Sequence, residues 1–435
     1  MCCREGQWIG EKMFKVYTKE TVGSLIELLK KRADSDNAEV EKIVKGILAE
    51  VKAKGDAALY DFSEKIDKVK LTSLRISEQE KAEAIAKVPA ELKEAMKRAA
   101  ENIFAFHEKQ KTESWIDNRD GKIMGQRILP LKRVGLYVPG GTAAYPSSVL
   151  MNAIPAKVAG VESIVMVTPP KAEGINPAVI YAASLAGVED IVTVGGAQAV
   201  AALAYGTESI QQVDKIVGPG NIFVATAKRL VAGTVDIDMF AGPSEVLVIA
   251  DEKANPKYVA ADFMSQAEHD PIAASILVTT SEKLADDVQK EIEKQLSYLS
   301  RAEIIKKSLA SYGSAVIMDS LDEAAEISDK IAPEHLELMV ENPFELLGKV
   351  RNAGSVFLGE NSPEPLGDYY AGPNHVLPTN GTARFSSALS VDSFVKKSSY
   401  LYYSKEALAK AADDIIRFAK AEGLTAHANS IEVRK

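Results

Sequence analysis

The sequence predicts an α/β protein with two Rossmann-like parallel-sheet domains and small helical or tail segments at its ends. Three observations predict it. From Arg133, short β-branched runs alternate with helical stretches of about 10 to 15 residues; the rhythm resumes at Glu245; and both ends of the chain lack it. Such alternation implies right-handed βαβ units, each feeding a parallel sheet covered on both faces. The 435 residues, 46% hydrophobic and 26% charged, suffice for two or more domains.

In chain order, MCCREGQWIGEKMFK has charges at Arg4, Glu5, Glu11 and Lys12 and no apolar run of secretory length, so no signal peptide is expected. Cysteine occurs only at Cys2 and Cys3, too few for a disulfide framework or a cysteine zinc site, and a reducing, cytoplasmic setting fits. From Asn37 to about Asp67 and from Ser77 to about Lys111, apolar residues such as Val40, Val44, Leu48 and Val51 fall at helical spacing. These are amphipathic helices whose charge runs are solvated faces, with His107 a surface residue. The charge-free run Val134 to Lys157 is interrupted by Pro139, Gly140, Gly141, Pro146 and Pro155; it reads as a buried strand and glycine loop, not a membrane helix.

The first α/β block continues through SIVMVTPP, NPAVIYAASLAG, DIVTVGG, AQAVAALAYG, DKIVGPG and NIFVATAKRLVAG. The second runs from EVLVIAD through NPKYVAADFMSQAEH, ASILVTTS, a Lys/Glu-rich helix to about Leu299, SAVIMDS and AGSVFLG. After about Phe385 a Ser/Tyr-rich stretch leads into ALAKAADDIIRFAKAEG, a helix expected to stop at Gly423, and then a tail.

Lys+Arg 52 against Asp+Glu 61 gives a net charge of −9, the wrong sign for a general nucleic-acid or anionic-membrane binder, so a small-molecule partner is expected. In SQAEHDP, Gln266 and His269 stand three apart where Pro271 ends a helix, a spacing that suits a metal or a structural hydrogen-bonded pair. GDYYAGPNH supplies Asp368 and His375, and EGLTAHANS supplies Glu422 and His427. One Gln, one Asp and two His make an N/O donor set compatible with zinc, although spacing does not show that they meet. IAPEHLEL sets Glu334 beside His335, a water-activating base and a proton acceptor if burial tunes them, surface decoration otherwise. Neither GxGxxG nor GxxxxGK[ST] occurs; VGGAQAV and GPGN follow expected strands and open helices, as phosphate-holding or as packing turns.

Taken together and in order, RVGLYVPGGTAAYPSSVLMNAIPAKVAG, VGGAQAVAALAYGT, KIVGPGN, DMFAGPSEVLVIAD, SQAEHDP, IAPEHLEL, GSVFLG, GDYYAGPNHVLPT and EGLTAHANS resemble histidinol dehydrogenase from about residue 20 to about 432. The resemblance implies incomplete, aldehyde-dehydrogenase-like Rossmann domains. It places an N-terminal segment at 1–32, a discontinuous catalytic domain at 33–136 and 245–388, an NAD-binding domain at 137–244 and a tail domain at 389–435. It implies oxidation of L-histidinol through L-histidinal to L-histidine with two NAD+ and one zinc per site. Zinc ligands would be Gln266, His269, Asp368 and His427, and the catalytic pair Glu334 and His335. Substrate contacts would be Ser244, Gln266, His269, His335, Asp368, Glu422 and His427, and NAD+ contacts Tyr137, Gln198 and Asn221. The family is a homodimer whose tail completes the partner's site, which puts Glu422 and His427 in trans. His375 stays outside the ligand set. With no cysteine beyond position 3, aldehyde oxidation is expected to pass through a hydrated aldehyde instead of a thiohemiacetal. The alternatives are a dehydrogenase of the same fold for another small polar alcohol, a zinc hydrolase using Glu334, and a non-catalytic metal-binding protein.

Overall fold

The computed structural model describes residues 13–33, 38–140, 145–239 and 242–435. Cys2, Cys3, Asn37 and the middle of the YVPGGTAAYPSS turn lie outside them. In chain order the strands are β1 (Lys15–Thr18), β2 (Trp115–Arg119), β3 (Lys122–Pro130), β4 (Arg133–Tyr137), β5 (Ser163–Val167), β6 (Asp190–Val192), β7 (Lys215–Val217), β8 (Asp236–Ile237), β9 (Glu245–Ala250), β10 (Ala274–Thr279), β11 (Gly313–Ile317), β12 (His335–Met339), β13 (Ser355–Leu358) and β14 (Val395–Tyr403).

They build three sheets. A parallel five-stranded sheet runs β6-β5-β4-β7-β8, and a parallel six-stranded sheet runs β1-β11-β10-β9-β12-β13. Strands β9 and β10 are buried along their whole length, as a parallel sheet covered on both faces requires. In each sheet the chain winds outward from one strand, then returns to its other side: β4 to β5 to β6 before β7, and β9 to β10 to β11 before β12. Those reversals, between β4 and β7 and between β9 and β12, are topological switch points, where open α/β sheets leave a crevice.

The third sheet, β14-β3-β2, is antiparallel, and the helices Lys405–Ala421 and Thr425–Glu432 follow it. Charged residues in WIDNR and KIMGQRILP and Ser/Tyr-rich wording in VKKSSYLYY hide its strands. The expected tail is therefore a nine-residue strand and two helices, and His427 lies on a helix, not in a loop. The first helix ends at Ala421 with Gly423 at φ 76, as its sequence signals.

Packing departs from the expected partition at the front of the chain. Strand β1 pairs with β11, so the N-terminal segment completes the six-stranded sheet. Val40, Val44, Leu48 and Val51 bury against the five-stranded sheet and its helices, as do Met96 and Ile103. Residues 38–108 thus clothe the sheet expected to bind NAD+, because their apolar stripes match its open face. His107 is fully buried, its Nδ1 2.7 Å from Gln110 Oε1 and its Nε2 3.3 Å from Asn374 Nδ2, which corrects its reading as a surface residue.

The charge-free run forms β4 and the buried helix Pro146–Ala159, with Pro155 inside that helix. Proline cannot donate to the carbonyl four residues back. That carbonyl, Met151 O, instead accepts Asn374 Nδ2 at 2.6 Å, so the missing helical bond anchors the loop carrying His375. Among the described residues no helix is long and apolar enough to cross a membrane.

Candidate active site

The reversal between β9 and β12 gathers most of the expected catalytic residues, at the amino ends of the strands. His335 opens β12, level with Val246 of β9. Ala332, just upstream, takes φ 53, a left-handed conformation that costs a non-glycine residue roughly 1–2 kcal/mol and turns the chain sharply into the strand. Both acid–base candidates then address one residue. The Glu245 N–H donates to Glu334 Oε2 at 3.0 Å, and the Glu245 carbonyl lies 3.1 Å from His335 Nδ1. Glu334 and His335 are 6% and 4% exposed, so each contact is made where water does not compete.

Charge on this pair follows from its surroundings. Burial pushes the Glu334 carboxyl up to about 8, with His335 opposing the rise. Burial resists the His335 cation, yet Glu334, Asp368 and Glu364 outweigh it and raise the imidazole to about 10. Asp368 Oδ1 stands 3.8 Å from His335 Nε2, the ring nitrogen turned away from Glu245.

A second group of donors adjoins the first. Gln266 is completely buried in the helix Pro256–Ala267, and His269 lies exposed just past the end of that helix, beyond its C-cap Glu268. The short helix Glu364–Tyr369 brings Asp368. Ligand atoms of His269, Glu364 and Asp368 lie within 4.8 Å of one another. Gln266 buries both its amide oxygen and its amide nitrogen with no protein partner, a cost a bound ligand would offset. An N/O donor set with an orphaned amide fits a borderline divalent ion such as zinc.

Glu364 is the residue sequence reasoning missed. It is 2% exposed, accepts Ser265 Oγ–H at 2.9 Å, and its own N–H donates to Glu337 Oε1 at 2.8 Å. Burial drives the Glu337 and Glu364 carboxyls upward, and Asp262 to about 7. Nothing in the spacing of these acidic residues announces this.

Ser244 immediately precedes β9 and is half-buried. His375 joins two parts of the fold: its Nδ1 lies 3.1 Å from the Asp368 carbonyl, and its Nε2 3.5 Å from Ser148 Oγ on the helix that follows β4. The expected NAD+ contacts gather around the reversal of the other sheet. Tyr137 ends β4 and its hydroxyl accepts the Gly196 N–H at 3.0 Å, at the start of the helix Gly196–Tyr205 that buries Gln198. Asn221 caps the helix Ile222–Val231 by accepting the N–H groups of Phe223 and Val224. Between them Gly218, at φ 109, packs so close to the Tyr137 carbonyl that a Cβ would overlap it. Two helix N-termini flanking a switch point suit a pyrophosphate.

Two expected residues are not gathered. His427 and Glu422 line a surface depression with Ile415, Phe418 and Leu424, and His427 is no part of the His269–Glu364–Asp368 cluster.

A family model described as histidinol dehydrogenase matches residues 30–435. The chain is 56% identical to the histidinol dehydrogenase of Clostridium acetobutylicum over 433 residues, 99% of this chain and 98% of that one. It is 58% identical to that of Caldanaerobacter subterraneus subsp. tengcongensis over 420 residues, 96% and 98% of the two chains. The crystal structure of histidinol dehydrogenase from Elizabethkingia anophelis superposes with a TM-score of 0.93 at 40% identity, covering 98% of each chain.

Proposed function

The chain belongs to the histidinol dehydrogenase family of oxidoreductases, and from that premise we propose that it converts L-histidinol to L-histidinal and then L-histidine, reducing two NAD+. What supports the reading is the buried Glu334–His335 pair, with Asp368 3.8 Å from His335 and clustered with His269 and Glu364, and the buried Gln266 amide without a protein partner. Gln266, His269 and Asp368 would hold zinc together with His427. When bound, zinc supplies a template for the substrate's amino and imidazole nitrogens and a positive charge that lowers His335 from its raised value, while NAD+ accepts hydride.

The chain's own residues move the protons. With Nδ1–H donated to the Glu245 carbonyl, neutral His335 keeps its lone pair on Nε2, which takes the hydroxyl proton of histidinol as hydride leaves its carbinol carbon. As water adds to the histidinal carbonyl, Glu334, made more basic by burial, takes a proton from it, and protonated His335 returns its proton to the carbonyl oxygen, leaving the diol and a neutral imidazole. His335 then takes a hydroxyl proton of the diol as the second hydride departs, and the resulting acid ionises to the carboxylate. Ser244 and Glu422 orient the cationic amino alcohol, and Tyr137, Gln198 and Asn221 hold NAD+ at the other sheet's switch point.

Glu422 and His427 act on a second subunit. Their helices project on the antiparallel sheet, and Leu401, Phe418 and Val433 there are 75%, 73% and 71% exposed, apolar surface that a partner chain would cover. A reducing cytoplasm suits such an enzyme.

The test is NADH formed per histidine with purified zinc-loaded protein, NAD+ and L-histidinol, beside a chelator-treated sample. Two NADH per histidine, lost on chelation and restored by zinc, is the expected result. A folded, zinc-loaded protein without turnover overturns the substrate assignment.

A further inference from the structure

Glu245 holds both acid–base residues through its backbone, and its side chain is itself held. The carboxylate accepts the Asn380 N–H on Oε1 at 3.0 Å and Arg32 Nη2 on Oε2 at 2.5 Å. Arg32 and Glu245 side chains are 1% and 3% exposed. Arg32 Nη1 also donates to the Ile272 carbonyl at 3.1 Å and the Ser244 carbonyl at 3.4 Å, and its guanidinium stands over the Tyr312 ring at 5.7 Å. Arg32 belongs to the last turn of the N-terminal helix Val22–Ala33, 213 residues before its partner. A guanidinium fork that grips a carboxylate and two carbonyls fixes position more strictly than an ammonium. Burying such a pair contributes little net stability compared with apolar filling, so its persistence here points to another role.

We infer that Arg32 and Glu245 are positioning residues for the reaction: the ion pair fixes the start of β9, and with it the residue whose backbone N–H and carbonyl orient Glu334 and His335. The inference rests on the assignment of those two as the proton-handling pair. A shift of Glu245 moves both its N–H donor and its carbonyl acceptor, and displacement of about 1 Å can cost about a hundredfold in rate. The expected metal donors lie on other elements, so zinc binding is spared, whereas Ser244, whose carbonyl Arg32 holds, moves with the ion pair.

The experiment compares R32M, R32K and E245Q with the parent in zinc content, circular dichroism, and kcat and KM for histidinol, with E334Q and H335N alongside. The expected result is a 10- to 100-fold loss of kcat in R32M and E245Q with zinc content within about threefold and a smaller change in KM, and a partial recovery in R32K, whose kcat stays about 3- to 10-fold down. Folded R32M or E245Q with kcat within threefold of the parent overturns the inference. Should both fail to fold, R32K decides: kcat within twofold of the parent overturns it. Full activity in E334Q and H335N would instead overturn the underlying assignment of the pair.

Discussion

The corner between β9 and β12 and the helical tip beyond β14 carry parts of one expected ligand set, yet they are built oppositely. In the corner Glu334, His335, Gln266 and Glu364 are at most 6% exposed, and hydrogen bonds from β9 and from the helix Pro256–Ala267 hold the side chains of Glu334, His335 and Glu364, while the Gln266 amide has no protein partner. At the tip Glu422 caps the end of the 17-residue helix Lys405–Ala421 and His427 stands on the helix Thr425–Glu432, beside exposed Phe418 and Leu424, with their own helix–helix packing as support. The difference teaches that preorganisation is local to the corner, where desolvation strengthens each interaction, whereas the tip leaves its apolar side chains exposed to water.

The largest effects should come from the corner. H335N is expected to lose about 10²–10⁴-fold in kcat for both oxidations. E334Q should lose a similar factor in the second oxidation and much less in the first, so that histidinal is released and can be trapped; equal losses in both half-reactions would erase the division of labour. Next comes the tip: H427A should weaken zinc binding about 10- to 100-fold, seen by metal competition. Co-expressed with H335N it should regain activity, since one site of a mixed dimer then holds a complete set. Failure of two inactive variants to complement would place His427 in its own subunit's site and collapse the contrast.

Smaller effects probe the scaffold that joins these regions. Burial lowers the pKa of His107, so the folded protein keeps it neutral while the unfolded chain takes up a proton below about pH 6.5. The unfolded state then binds more protons, and the stability His107 contributes is complete above that pH and is lost as pH falls through it. The Tm gap between parent and H107Q should therefore narrow from pH ~7 to ~5, by thermal melts; a constant gap would mean that His107 takes up protons equally in the folded and unfolded chains and overturns the lowered value. Smallest is N221A, which removes a helix cap worth about 1 kcal/mol. It should lower Tm slightly without NAD+ and raise the KM for NAD+; a change in Tm alone would make Asn221 purely structural.

Much of this was legible because it is local. Strand–helix rhythm, the stop at Gly423 and the Asn221 turn follow from neighbours in sequence. Strand β12 escaped notice since HLELM reads first as a charged pair, and β2, β3 and β14 because half-exposed antiparallel strands carry polar wording. His107 looked like a surface residue because its helix is amphipathic and only the packing partner tells which flank is covered. Likewise Pro155 reads as a breaker until Asn374, 219 positions later, takes up the freed carbonyl.

By itself the sequence determined the α/β class, the order of the elements and, through its resemblance, the family and the expected chemistry. Tertiary structure alone decided which acids are buried, that Arg32 reaches Glu245 beneath the Glu334–His335 pair, that Glu364 joins His269 and Asp368, and that His427 faces outward on its own chain. The physical reason is that local rules act over a few residues of backbone, whereas desolvation and charge pairing depend on which distant side chains share a water-free volume.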